Sequence, residues 1–159
     1  MTLDFTSQNS RANIVDKLKA HFRQKPLARL EIARLFKAAE WNSSDALIEG
    51  AISFKPHPSL ETIWVTLNLE EINIGMANLY LPPPSSLLNP PAFIANFLIT
   101  KEYQRKGLGA TLLQSIEEFV RKSGVNLLAL ECEKSSSGFW VLMGFSLRDA
   151  NSQIMFKEI

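Results

Sequence analysis

Seven consecutive residues, Gln104-Arg105-Lys106-Gly107-Leu108-Gly109-Ala110, combine two cations with two glycines one residue apart. Glycine has no Cβ, so a ligand can come close to the backbone at Gly107 and Gly109, and both accept φ/ψ values closed to other residues. A helix opening here would present first-turn N–H groups that lack intrahelical partners, together with the positive end of its macrodipole. The chemistry suited to that combination is a grip on phosphate or pyrophosphate. A second reading stands beside it, in which the glycines only relieve crowding in a strand–helix turn; spacing alone does not choose. Two phosphate motifs are excluded. No G-x-x-x-x-G-K-[ST] string occurs, and Leu112 takes the place of the third glycine in G-x-G-x-x-G.

The flanking elements are those such a loop needs. Upstream, Ala92–Ile99 is an almost unbroken apolar run bounded by Pro91 and Thr100, the pattern of a strand buried on both faces. Downstream, Leu108, Leu112, Leu113, Ile116, Phe119 and Val120 recur at helical spacing. Glu117, Glu118, Arg121 and Lys122 fill the opposite face, and Gly124 stops the helix. Residues 127–132 read as a second central strand, parallel to the first across a right-handed crossover.

Elsewhere the patterns predict a helix over residues 11–19, a short strand over 20–24, a helix ending near Trp41, and another over 45–52. Trp41 reads as a core or hinge residue, with a place lining a substrate cleft as the alternative, and His57, between prolines, as exposed and idle. Alternation over residues 62–69 predicts a half-buried strand, and residues 74–81 return as its hairpin partner across a turn at 70–73. Residues 82–91, with five prolines, form a surface connector. A late helix over 135–143 precedes a closing hairpin of residues 145–148 and 153–157.

At 159 residues the chain reads as one domain, 1–159, with 1–25 a poorly defined N-terminal extension. It is long enough to bury roughly two-thirds of its unfolded surface. A net charge of +1 argues against a nucleic-acid or membrane partner through bulk electrostatics. No apolar run reaches transmembrane length, and the N-terminus lacks a signal-peptide pattern. Cys132 is the single cysteine, so a disulfide framework and a cysteine metal cluster are not expected; the default compartment is cytoplasmic. Cys132 itself reads as a small packed hydrophobe.

The run from Ile99 through Gln104-Arg105-Lys106-Gly107-Leu108-Gly109 resembles the acetyl-CoA signature of the GCN5-related N-acetyltransferase (GNAT) family, [RQ]-x-x-G-x-[GA] after a strand and opening a helix. Gly138-Phe139-Trp140-Val141-Leu142-Met143-Gly144-Phe145 resembles that family's late helix and its F-Y-x-x-x-G-F ending. Two motifs in the right order are more specific than either alone. The resemblance covers residues 60–147 well and the remainder by element order.

It implies an α/β fold of the acyl-CoA N-acyltransferase type: a mixed, mostly antiparallel sheet with a splayed parallel pair, flanked by helices. Acetyl-CoA would lie in the gap as co-substrate, with no metal. The backbones of Phe97, Leu98 and Ile99 would pair with the pantetheine arm. Gln104 would start the pyrophosphate loop, and the amides of Arg105, Lys106, Gly107, Leu108, Gly109 and Ala110 would hold the diphosphate. Arg105 or Lys106 would reach the 3′-phosphate. The partner is an amine, small or protein-borne, and a homodimer through sheet or hairpin edges is compatible with such folds.

The implied reaction is direct attack of a primary amine on the thioester in a ternary complex. An amine with a pKa near ~10 arrives protonated, so a base or water chain must take a proton. A backbone N–H at Leu98 or Ile99 would hold the oxyanion. The first central strand offers only Asn96, which cannot act as a base; Glu131 and Glu133 project to one face at the end of the second, and Glu133 is nearest the expected cleft. Trp140 stands where relatives carry a tyrosine acid. A thiolate of conjugate pKa around ~8.5 leaves tolerably without one, and Ser135, Ser136 or Ser137 could relay the proton or simply cap the late helix. With the acid missing, a non-catalytic acyl-CoA-binding module and a partner protein keeping only the fold remain open alternatives.

Overall fold

The computed structural model describes residue 14 and residues 16–84 and 90–159. One seven-stranded sheet runs through it in the order β1-β2-β3-β4-β5-β7-β6. The strands are β1 (Leu18–Arg23), β2 (Glu61–Leu69), β3 (Ile72–Leu81), β4 (Ala92–Ile99), β5 (Leu127–Glu131), β6 (Ser146–Leu147) and β7 (Ile154–Glu158). Neighbours are antiparallel except β4 and β5, which run parallel. Helices α1 (Arg29–Ala38) and α2 (Asp45–Ser53) cover one face; α3 (Leu108–Lys122) covers the other, and α4 (Ser137–Leu142) follows β5. No described helix is long and apolar enough to cross a membrane.

Two apolar layers explain why the sheet is dry on both sides. Leu112, Leu113, Ile116 and Val120 of α3 pack on Val65, Leu67, Ala77, Leu79 and Ile94. Ile32, Leu35, Phe36 and Ile48 of α1 and α2 pack on Trp64, Met76 and Leu98. β2 is therefore not the half-buried strand its alternation predicts: Trp64 and Thr66 sit on the second face and are sealed by the helix pair. Alternation marks a polar face, but a Thr and a Trp tolerate burial once a helix supplies the cover.

The bulge in β4 sets the later geometry. Asn78 pairs with Ala95 and Met76 with Leu98, so between these pairs one residue of β3, Ala77, faces two of β4, Asn96 and Phe97. Within the bulge Asn96 has φ 51°, a left-handed conformation that Asn accepts more readily than most residues. The surplus residue reverses the alternation. Ile94 faces α3 before it; after it, Leu98 faces α1 and α2 while Phe97 packs on the α3 side.

Some boundaries differ from the sequence reading. Leu18 and Lys19 belong to β1, not to a helix, because they pair with Leu69 and Asn68; most of the rest of the expected helix lies outside the described residues. β3 begins at Ile72, after a tight Glu70–Glu71 turn in which Glu70 has φ 56°. The late helix splits into a 3-10 turn, Lys134–Ser136, and α4. Glu117 is not on the solvent face: it is 6% exposed and receives Lys157 Nζ of β7 at 2.5 Å, with Arg121 at 3.6 Å.

Candidate active site

β4 and β5 share only three paired positions, Ala92 with Leu128, Phe93 with Ala129 and Ile94 with Leu130. Beyond Ile94 β4 continues to Ile99 while β5 ends at Glu131, and the strands part. The result is a cleft of about 1030 Å³ bordered by β4 from Ile94 to Ile99, by the loop before α3 and by the end of β5. Thr100 N–H donates to Ile74 O at 2.9 Å. Antiparallel alternation then turns the N–H of Leu98 toward β3 and that of Ile99 away from it, to the open edge. Of the two oxyanion donors expected from sequence, Ile99 has the direction the role requires.

The loop is shaped by local conformation. A 3-10 turn over Lys101–Tyr103 leads to Gln104, whose Nε2 donates to Ile99 O at 2.7 Å and ties the loop to the strand end. Arg105 at φ 60° and Gly107 at φ 79° are both left-handed, so the chain alternates handedness just before α3. Such an alternation turns successive N–H groups inward as an anion-binding nest. Gly107 is the N-cap of α3, and no side chain caps that end. Arg105, Gly107, Gly109 and Ala110 line the cleft with Gln104. The side chain of Leu108 is in the core and Lys106 is half-buried away from the lining.

Gly109 has a second reason to be glycine. A Cβ there would stand 3.2 Å from Cζ of Phe139 and 3.8 Å from Cε1 of Phe97. Phe139 in turn lies 4.9 Å, edge-on, from Trp140, which also meets Phe97 at 4.9 Å and Phe145 at 5.3 Å. Edge-to-face pairs of this kind add roughly 0.5–1.5 kcal/mol each beyond buried area. Trp140 is thus a packed wall of the cleft, 7% exposed, joining α4 to β4.

The catalytic candidates fall on the β5 side. Glu131 and Glu133 are both exposed and both line the cleft. Ser135 and Ser136 line it too. Ser136 occupies the N-cap of α4 without capping it, because its hydroxyl donates instead to Glu133 O at 3.2 Å. Cys132 is buried, and its thiol also donates to Glu133 O, at 3.1 Å. With the Ser136 N–H, which donates to the same oxygen at 3.1 Å, three donors on one carbonyl hold the Glu133 backbone in place. Among the described residues no group of three or more His, Cys, Asp or Glu is placed to hold a metal ion.

The sequence reading ranked one feature wrongly and missed two. Trp41 is at the cleft, 38% exposed and 5.2 Å from Phe36, not in the core. It is placed there by the left-handed Glu40, φ 62°, which ends α1 and turns the chain back. Asn96 lines the cleft, and its Nδ2 donates to Oδ1 of fully buried Asn78 at 2.8 Å. Two residues along β3, the hydroxyl of Tyr80 is buried without a partner among the described residues, as is Nδ2 of Asn78. An Asn inside each of two adjacent apolar strands was the available signal, since buried amides are costly unless paired. His57, by contrast, is exposed in its loop, 2.7 Å from Ser59 Oγ, as expected.

Residues 22–145 match the sequence model of the acetyltransferase (GNAT) family, and the chain belongs to that family. It is an acyltransferase by membership. No curated protein matches it. Among solved structures it is similar to a GNAT family acetyltransferase from Elizabethkingia anophelis with acetyl-CoA bound, at 18% identity and TM-score 0.63, covering 91% of this chain and 99% of that one. It is similar also to the PaiA N-acetyltransferase of Thermoplasma acidophilum in complex with coenzyme A, at 20% identity and TM-score 0.63, over 89% and 99% of the chains. The ribosomal-protein-S18-alanine N-acetyltransferase of Escherichia coli follows at 16% identity and TM-score 0.59, over 89% and 94%. These likenesses establish the shared fold.

Proposed function

We propose that residues 1–159 form one cytoplasmic N-acetyltransferase domain that moves an acetyl group from acetyl-CoA to a primary amine by direct attack in a ternary complex. The observation that carries this reading is the parting of β4 and β5 after three pairs, directly before an uncapped, left-handed turn into α3. The open edge of β4 offers Phe97, Leu98 and Ile99 to an extended pantetheine arm as a strand would be offered. The nest from Gln104 to Ala110 suits the diphosphate, with Arg105 adding charge at the cleft.

In this scheme the Glu133 carboxylate takes the proton of the attacking amine, and the Ile99 N–H steadies the oxygen that gains charge. The Ser136 hydroxyl, 3.6 Å from the Cys132 thiol and bonded to Glu133 O, is the group that would relay a proton to the departing thiolate. Trp140 supplies no acid, and a thiol leaving group near pKa ~8.5 does not demand one.

The test is release of CoA thiol from acetyl-CoA with a panel of primary amines. Amine-dependent release is expected. Glu133→Gln should lower kcat by about 10²–10⁴ with acetyl-CoA affinity retained. A folded protein without affinity for acetyl-CoA would overturn the reading; affinity with no release from any amine would make the chain a carrier-binding module.

A further inference from the structure

The cleft is electrically lopsided. Its charged lining residues are Arg105 on the loop and Glu131 and Glu133 at the end of β5. On the α1–α2 side, the described lining is Phe36, Trp41, Asn42 and Leu47, with Asn96 on the strand below. Two of those apolar side chains are open to solvent, Leu47 at 49% and Trp41 at 38%. Glu40, beside Trp41, is held in an ion pair with Lys101 at 2.5 Å. The connector of residues 82–91, which leads into β4, contains no charged residue at all.

Asn96 supplies an amide fixed from behind by the sheet, whereas the Asn42 amide is held within its own loop, its Oδ1 accepting from Ser44 N–H at 3.0 Å. The bond of Asn96 to Asn78 uses one of its amide atoms and leaves the other on the cleft side; among the described residues no donor reaches its Oδ1. An amide oxygen can accept a hydrogen bond from an amine and aim its lone pair. Unlike a carboxylate, it carries no charge that would hold the amine in its protonated, unreactive form.

Resting on the acetyltransferase reading above, we infer that the acceptor is a primary amine on an uncharged aromatic or branched aliphatic carrier. The carrier lies on Phe36, Trp41 and Leu47, and the amine nitrogen is oriented by Asn96. Trp41 offers a face for ring stacking. An acidic or polycationic carrier on this wall would shed water without gaining a counter-charge, so the wall rejects as well as selects.

The experiment compares phenethylamine and isoamylamine with spermidine and glutamate, as kcat/KM for transfer, with acetyl-CoA thermal stabilisation recorded on the same samples. The two apolar amines should exceed the two charged ones by at least about tenfold, the low end of what one methylene is worth in an apolar site. Trp41→Ala should reduce the phenethylamine preference about tenfold. Leu47→Glu, at an exposed position, should raise the relative kcat/KM of spermidine, a gain that misfolding cannot imitate. Asn96→Ala should raise KM for the amine and leave acetyl-CoA stabilisation in place. Preference for spermidine or glutamate in the parent overturns this inference and leaves the acetyltransferase reading standing; so does a Leu47→Glu variant with unchanged preferences. Absence of acetyl-CoA stabilisation overturns both, and stabilisation with none of the four amines acetylated overturns the acceptor assignment.

Discussion

Tyr80 lies within a sheet sealed on both faces, 0% exposed, with a hydroxyl that has no partner among the described residues. Burial disfavours its phenolate and pushes the phenol up to about 12. In an unfolded chain the group titrates near ~10. Between those values only the unfolded chain releases the proton, so the native state keeps its full margin below the lower value and loses it as pH climbs toward the upper one. Two units correspond to roughly 2–3 kcal/mol. Tyr80→Phe should lack this loss, measured as the difference between urea unfolding free energies at pH 9 and pH 11.5 for parent and variant. At neutral pH the variant should be at least as stable as the parent, because the lost hydroxyl makes no bond. Parallel pH dependences in the two proteins would refute the assignment. Nothing in the sequence set Tyr80 apart: its burial comes from Phe54 on one side, 5.7 Å away and edge-on, and from Phe93, 6.5 Å away, on the next strand.

At the scale of elements, α3 is fastened to β7 by a carboxylate placed where the helix was expected to meet water. Glu117 receives Lys157 at 2.5 Å, and both side chains are largely covered. Glu117→Ala should destabilise the fold by about 1–3 kcal/mol, since it strands a partly buried ammonium; Glu118→Ala, whose pair with Lys122 is exposed, should cost under about 1 kcal/mol. Chemical denaturation of the two variants checks the contrast, and equal costs would contradict it. The strands, α3 and the glycine loop were legible in the sequence because periodicity and glycine spacing are local. Ala92–Ile99 agrees to the residue. The cleft position of Trp41 ranked below the core in the sequence, because a turn at Glu40, not a pattern, sends it there. Helical amphipathicity likewise assigns Glu117 to solvent; only β7, 40 residues later, supplies the lysine that buries it. Gly109 was read both as room for a ligand and as relief of crowding; the structure supplies the crowding neighbour, Phe139, a contact between elements far apart in sequence.

For the whole molecule, the sheet consists of an antiparallel block β1–β4 and a second block β5–β7–β6 joined by three residue pairs. α3 spans the seam, packed on β3 and β4 and held to β7 through Glu117. A co-substrate lying in the cleft would touch β4, the head of α3 and the end of β5 together. Acetyl-CoA at a hundredfold its Kd should therefore raise the unfolding free energy by about 2.7 kcal/mol, read as a rise in melting temperature that grows with concentration. A melting temperature indifferent to concentration would show that the cleft does not take it.

The surplus residue at Asn96 lets a strand with one residue too many stay in step with both layers. Excising it would leave Phe97 and Leu98 on the faces they already hold, because the shortened strand would alternate regularly from Ile94 to Ile99. What would vanish is the left-handed kink and the amide it carries, while the ladder on either side could still form. A one-residue deletion at Asn96 should therefore yield a folded protein whose Asn78 has lost its amide partner and whose strand enters the glycine loop unbent.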